Sequence, residues 1–183
     1  MTTDQIFRHA MLEMDEDPAD IIDYTDKFSM YLNNGYQILL RKYYKPRETC
    51  VFQTDENGMV YLTGYDIENV VEMRDESGRL VQFQESADGS GAYQTNARNS
   101  NVSVVCQVNY PPLEKGLDEP MIPEHAHYAL VLYICYMHLS SGNLAKQSRA
   151  KHYLQGFYEA ANAIRPVGAG SVTTYKNFYS ATN

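Results

Sequence analysis

The residues best suited to binding a metal ion stand at the start of an apolar stretch, where Glu124 precedes His127 by three positions. On a helix this spacing places a carboxylate and an imidazole on one face, an arrangement that di-iron bundles use on two different helices. His138 follows eleven residues after His127, but the sequence has no second Glu-x-x-His pair and no HExxH. Histidines in a first helical turn or on a surface explain the same pattern. A small metal-dependent helical-bundle enzyme using these three residues is therefore a secondary hypothesis.

Nucleophilic catalysis lacks the motifs that it would need. Cys106 and Cys135 occur within apolar patterns, which is typical of buried cysteines that act as small hydrophobes. Ser140-Ser-Gly142 has no Gly-x-Ser-x-Gly context, and neither GxGxxG nor GxxxxGK[ST] occurs in the sequence. We therefore expect no catalytic residues, no cofactor and no metal site, and we interpret the chain as a structural or interaction protein rather than an enzyme.

Charge is concentrated at the two ends of the chain. Residues 1–26 hold eight carboxylates against Arg8 alone, and residues 142–183 hold five basic residues against Glu159. Solvated helix faces account for such a distribution, and so does a molecule whose acidic and basic ends meet different partners. The candidates for an acidic surface are Asp15, Glu16, Asp17 and Asp20.

Composition limits the class of protein. A chain of 183 residues makes about one domain. Its net charge of −8 argues against non-specific binding to the outside of a DNA duplex. Three cysteines without metal-site spacing indicate a reducing compartment. The longest strongly apolar run has nine residues, whereas a membrane span needs about 20, so we expect a cytosolic protein outside any membrane.

Helices are predicted at both ends of the chain. Thr3–Met14 forms a first helix, and a second begins at Ile21, with Asp20 as N-cap, and ends near Tyr44 ahead of a proline. Gly35 interrupts this second helix at a cost of about 1 kcal/mol.

Two further helices are predicted near the C-terminal end. A helix after Pro123 is apolar on nearly all sides and should be buried. Asn143 can cap the next helix, which runs antiparallel to it and stops at Pro166.

The middle of the chain is predicted to form strands. Two glycine-bearing turns separate pairs of short apolar segments and predict two β-hairpins. These hairpins join Val51–Thr54 to Met59–Leu62 and Val70–Met73 to Leu80–Phe83. Ala87–Asn101 is polar and rich in glycine and predicts a mobile loop. Val102–Val108 is almost continuously apolar and predicts a central strand.

These elements predict an α+β fold. It is an antiparallel helical bundle, made of the N-terminal helices and the C-terminal helix pair, with an inserted hairpin-rich antiparallel β subdomain and an extended C-terminal arm. The expected boundaries are 1–47 for the N-terminal helices, 48–112 for the β insertion, 113–165 for the helix pair and 166–183 for the arm.

Several sequence stretches follow one another in a recognisable order. They are Val108-Asn-Tyr110-Pro-Pro-Leu113, Leu117-Asp-Glu-Pro-Met-Ile-Pro-Glu124, the apolar helix His127-Tyr-Ala-Leu-Val-Leu-Tyr-Ile-Cys-Tyr136, and the helix Leu144–Ile164. In this order the chain resembles the head-to-tail connector proteins of tailed bacteriophages, also called adaptors or tail tubular proteins. The resemblance covers the architecture of most of the chain and is densest over Val108–Ala161.

The resemblance implies a structural protein of the virion neck, assembled in the host cytoplasm. Such proteins form a ring, commonly dodecameric, below the capsid portal, and DNA passes through its lumen. The helical bundle builds the ring wall, and the β insertion faces the tail or the outside. The implied partners are other copies of the chain, the portal protein, and a tail or nozzle protein, with no membrane. Members of the family are not enzymes and as a rule bind no metal.

The resemblance also gives roles to the two ends of the chain. The C-terminal arm commonly reaches the portal, and spaced aromatic and basic residues suit anchoring on an acidic partner. The arm residues in question are Arg165, Tyr175, Lys176, Phe178 and Tyr179. The acidic residues would repel DNA if they line the lumen, or they would belong to an interface. Another neck component, such as a stopper or tail-completion protein, is the alternative within the same class.

Overall fold

Helices from both ends of the chain form one unit, and strands from its middle form another. A computed structural model describes residues 1–62, 66–87, 89–114 and 116–164. The helical unit comprises Met1–Lys45 and the described part of Tyr110–Pro166, and the β unit comprises the described part of Pro46–Asn109. The fold is therefore α+β, with the β unit inserted between two helical segments.

The predicted helices are present in the helical unit. They are α1 (Thr3–Glu13), α2 (Ile21–Ile38), α3 (His127–Ser140) and α4 (Leu144–Asn162). Short 3₁₀ turns, Pro18–Asp20 and Glu124–Ala126, precede α2 and α3. Asn143 caps α4 as predicted, because its side chain accepts a hydrogen bond from the Lys146 N–H at 3.1 Å.

The start of α2 differs from the prediction. Asp20 is the residue before the helix, but its side chain makes no capping hydrogen bond. Asp17 instead caps the turn that precedes α2, accepting a hydrogen bond from the Ala19 N–H at 2.9 Å. The reason is Pro18, which suits the first position of a helical turn and so starts the turn directly after Asp17.

The rod that begins with α2 ends at Tyr44, as predicted, but its last turn is unusual. Leu39–Tyr44 forms a π-helix, and Lys45 closes it in the left-handed region with a φ of 47°. The Lys45 N–H donates to the Leu40 carbonyl at 2.8 Å. Pro46 follows at once, which explains why the helix goes no further. Arg41 and Lys42 are exposed on this turn.

α3 forms the centre of the helical unit. α1, α2 and α4 all pack against it, and Leu130, Val131 and Ile134 are completely buried. The prediction of a helix buried on nearly all sides is confirmed.

Two antiparallel sheets make up the described part of the β unit. Their strands are β1 (Arg47–Gln53), β2 (Met59–Tyr61), β3 (Ile67–Asp75), β4 (Leu80–Val81), β5 (Phe83–Glu85), β6 (Ala92–Thr95) and β7 (Asn101–Val108). The strand order is β1-β7-β3-β4 in the larger sheet and β2-β6-β5 in the smaller one. The predicted central strand is β7, which lies between two partners. The hairpin of β3 and β4 also forms, with Met73 opposite Val81.

The other predicted hairpin is wrong. Val51–Thr54 overlaps the end of β1, which pairs with β7, whereas Met59–Leu62 contains β2, which pairs with β6. The turn between them does form, because the Asp55 carboxylate accepts hydrogen bonds from the N–H groups of Asn57 and Met59, both at 2.8 Å. The chain reverses as predicted, but the two strands join different sheets.

The prediction of a loop over Ala87–Asn101 is wrong for Ala92–Thr95 and for Asn101, which begins β7. This segment contains β6, the central strand of the smaller sheet. In β6 only Ala92 and Thr95 are buried, while Tyr93 and Gln94 keep contact with solvent. A four-residue strand with so little apolar surface carries no period-two signal that sequence analysis could detect.

Candidate functional site

His127 is committed to the packing of the helical unit. It is buried, and its Nε2 lies 3.1 Å from the Pro120 carbonyl oxygen and 3.0 Å from that of Ile122. Carbonyl oxygens only accept hydrogen bonds, so Nε2 carries the proton and Nδ1 accepts from the Met1 amine at 2.7 Å. Both ring nitrogens are therefore engaged, and the one available lone pair, on Nδ1, is directed at the Met1 amine.

The metal-site hypothesis gains no support from this geometry. Glu124 lies in the 3₁₀ turn and is exposed, whereas His127 is buried. His138 lies eleven residues further along α3, or about 16 Å at the rise of an α-helix. Throughout the residues that the structure describes, no three His, Cys, Asp or Glu side chains are grouped as a metal ion requires.

His138 occupies an aromatic environment between α2 and α3. Its ring packs edge-on against Tyr24 at 5.4 Å and Phe28 at 5.7 Å, measured between centroids. Its Nδ1 is buried and has no hydrogen-bond partner among the described residues. Burial, with a smaller contribution from Lys27, holds the pKa of His138 below its usual value, and Lys146 acts in the same direction while Glu16 opposes both.

This environment predicts that the protein loses stability in mild acid. As the pH falls through about 6.5, the unfolded chain takes up a proton at His138 before the folded chain does, so protonation favours unfolding. Replacing His138 by phenylalanine removes the titrating group and keeps the aromatic packing. We expect His138→Phe to raise the melting temperature more at pH 5 than at pH 7.5.

The measurement is thermal unfolding followed by circular dichroism at both pH values. His152→Gln is the control, because the His152 side chain is exposed on α4 and its loss should affect the two melting temperatures equally. An equal gain at both pH values for His138→Phe would contradict the assignment of acid sensitivity to His138.

The three cysteines are buried and form no disulfide bonds. Burial raises the pKa of Cys106 to about 12 and that of Cys135 to about 12. Because the thiolate is the nucleophilic form, burial disfavours the reactive state of both thiols. The predicted burial of Cys106 and Cys135 is confirmed.

The acidic candidates lie around the corner between α1 and α2. Asp15, Asp17 and Asp20 are exposed, and Glu16 is partly buried. Asp17 caps the 3₁₀ turn, and Asp15 receives a salt bridge from Arg149 of α4 at 3.1 Å. Two of the four carboxylates therefore have local structural roles in addition to their charge.

A contact that the sequence does not reveal joins the end of α1 to α4. The Glu13 carbonyl accepts hydrogen bonds from the Tyr153 hydroxyl at 2.6 Å and from Arg149 at 3.3 Å, and the Glu13 carboxylate accepts one from the Tyr128 hydroxyl. α1 has no basic residue in its last turn, so Arg149 supplies the cation that a helix C-terminus favours. The lack of a basic residue in the last turn of α1 is the one sequence feature that points to this contact.

The proposed portal-binding residues lie outside the described part of the chain. They are Arg165, Tyr175, Lys176, Phe178 and Tyr179, all of which follow the last described residue, Ile164. Their role in binding the portal therefore stays a prediction.

The described residues form an α+β fold with charged, exposed helix faces. No family model matches the chain, and a comparison with curated proteins gives no match. None of the helices within the described ranges has the length and apolar character needed to cross a bilayer.

Proposed function

We propose that this protein is a structural subunit of the neck of a tailed bacteriophage. Copies of it would form a ring, dodecameric by resemblance, that joins the capsid portal to the tail and lets DNA pass through its lumen. It would act by binding its partners and not by catalysis.

The observation that carries the proposal is the way in which the chain divides. A helical unit built from Met1–Lys45 and the described part of Tyr110–Pro166 is interrupted in the sequence by the β unit. This is the division that the resemblance to connector proteins implies, with the bundle as ring wall and the insertion directed at the tail or the outside. The burial of α3 is compatible with the helical bundle that the resemblance implies.

Surface charge supports the same proposal. The exposed carboxylates at the corner between α1 and α2 would repel the DNA backbone wherever they face the lumen, so that DNA slides without being held. The same carboxylates would attract a basic surface if they lie between subunits. Both uses suit a ring protein through which DNA moves.

Co-sedimentation with portal rings tests the proposal. The purified protein is mixed with portal rings, and the pellet is imaged by electron microscopy. We expect an added ring layer on the portal. A protein that stays in the supernatant as a monomer, with no added layer, would rule out the adaptor that joins the portal to the tail.

Deletion of Val167–Asn183 tests whether the arm anchors the ring. If the arm anchors the ring, the truncated protein should fold normally and lose portal binding by at least about tenfold, as expected when aromatic anchors are removed. Portal binding at full strength after truncation would mean that the arm is not the anchor.

A further inference from the structure

β1 is a long strand at one edge of the larger sheet, and β7 pairs with it along all seven residues without a register shift. The Thr54 N–H donates to the Ser100 carbonyl, and the Val108 N–H donates to the Pro46 carbonyl. The even-numbered residues of β1 therefore direct their main-chain groups at β7. Because the direction alternates along an antiparallel strand, the odd-numbered residues direct theirs at the open edge, and these are Arg47, Thr49, Val51 and Gln53.

This edge is open within the described ranges. β1 pairs there with β7 alone, and no other described residue hydrogen-bonds to the outward main-chain groups. Sheet edges are usually protected by shortness, proline, charge, a bulge or a covering element. Thr49–Gln53 contains neither proline nor charge, and its pairing with β7 has no bulge.

The other edges of the described sheets have such protection. β4 has two residues, and β2 and β5 have three each. β3 extends beyond β4, but two register shifts interrupt this part of the strand, which also carries Glu68 and Glu72. β1 is therefore the one long edge of the described sheets that is both regular and uncharged over most of its length.

We propose that β1 pairs with β1 of a second copy of the chain, antiparallel and centred on Cys50. The inference goes beyond the proposed function and does not depend on it. In this register Thr49 lies opposite Val51 of the second copy, and Arg47 lies opposite Gln53 of the second copy. Each such pair exchanges two main-chain hydrogen bonds. The four-stranded sheets of both copies would then form one continuous sheet.

The length and regularity of β1 identify the second copy as its occupant. No other edge strand of the described sheets can pair with β1 over its full length, because the others are short or interrupted. β1 itself matches in length by definition. A contact of one surface with itself has two-fold symmetry and closes after two copies, so the proposal predicts a dimer. It differs from a ring contact, which joins two unlike surfaces.

The side chains of β1 suit this register. Thr49 and Val51 are both β-branched, and such residues pack well as direct neighbours across two strands. No like charges lie opposite each other when the pairing is centred on Cys50. A register centred on Glu48 would instead place two carboxylates opposite each other, which is unfavourable.

Charged substitutions at positions 49 and 51 test the pairing. One variant combines Thr49→Lys with Val51→Lys, and the other combines Thr49→Glu with Val51→Glu. Like charges would lie opposite each other at two places in each dimer, so each variant should dimerise at least about tenfold more weakly than the wild type. In an equimolar mixture opposite charges meet, and we expect heterodimers as strong as the wild-type dimer. Sedimentation velocity measures dimerisation in each sample.

Thr49→Lys combined with Val51→Glu is the matched control, because it adds charges at the same two positions. In the proposed register each lysine lies opposite a glutamate of the second copy, so this variant should dimerise like the wild type. Both positions are half-buried and alternate with Cys50 and Phe52, which belong to the core. The substitutions therefore lie on the other face of the sheet, and circular dichroism checks that the variants are folded.

Several results would overturn the pairing. They are a wild type that sediments as a monomer, a dimer that neither like-charged variant weakens, and a loss that the mixture does not restore. The neck function is tested separately on portal rings. An added ring layer from a protein that is monomeric in solution would leave the neck function standing without the β1 contact. A dimer that behaves as expected but adds no layer would leave the β1 contact standing without the adaptor.

Discussion

Replacing Leu130 by alanine is expected to lower the free energy of unfolding of the helical unit by about 2–5 kcal/mol. Leu130 lies in the middle of α3 and is completely buried. α1, α2 and α4 all pack against that helix, so the surrounding side chains cannot collapse into the space without moving several elements. The loss therefore combines the transfer free energy of the removed methyl and methylene groups with that of a residual cavity.

Urea unfolding followed by circular dichroism at 222 nm measures this effect, because the helical signal reports on the unit that contains Leu130. Leu12→Ala is the matched control. It is the same substitution on α1, but Leu12 is exposed, so its effect should stay within about 0.5 kcal/mol. Equal effects of the two substitutions would contradict the burial of α3.

The sequence predicts the helical unit well because local signals and burial agree there. Apolar residues on all sides of Ala129–Met137 require a helix surrounded by others, and α3 has that position. Asn143 provides a cap whose effect is confined to the first turn of α4. The π-helical end of the rod was not predictable, because the apolar spacing over the six residues Leu39–Tyr44 is too short to distinguish a π-helix from an α-helix.

The β unit is predicted less well because strands that pair with each other can be far apart in the sequence. Asp55 and Asp75 make equivalent turns, each accepting hydrogen bonds from main-chain N–H groups two and four residues later. Only the second turn joins two paired strands. The strand before Asp55 pairs instead with β7, about fifty residues away in sequence, and turn chemistry contains no information about that partner.

Prediction of the candidate surfaces from the sequence is limited in the same way. Sequence analysis locates the acidic corner and the basic character of α4, because charge is a property of composition. It cannot show that Arg149 reaches the Glu13 carbonyl, or that Glu124 and His127 differ in burial, because both depend on how α1, α3 and α4 pack.

Replacing Gly35 by alanine should destabilise the protein by about 1–3 kcal/mol, although the same change usually stabilises a helix interior by about 1 kcal/mol. A Cβ at position 35 would lie 2.8 Å from Tyr133 Cδ1, 3.0 Å from its Cγ and 3.2 Å from its Cβ. The atoms that are too close include the base of the side chain, so a change of rotamer at its tip cannot relieve the contact. The Tyr133 ring is itself fixed by Phe157, whose centroid lies 4.9 Å away.

The opposite sign is expected at Gly156, which makes Gly156→Ala the control for Gly35→Ala. A Cβ at position 156 approaches only Leu132, with Cδ1 at 3.3 Å, and the end of a leucine side chain can move by the small amount required. Gly156→Ala should therefore stabilise α4 by up to about 1 kcal/mol. Urea unfolding of both variants measures the two changes in the free energy of unfolding. A double-mutant cycle with Tyr133→Ala then shows whether the side chain of Tyr133 causes the loss at position 35. In the Tyr133→Ala background Gly35→Ala should become stabilising, because the atoms that oppose the Cβ are largely gone. A stabilising Gly35→Ala in the wild-type background would mean that α2 and α3 are further apart than the structure shows.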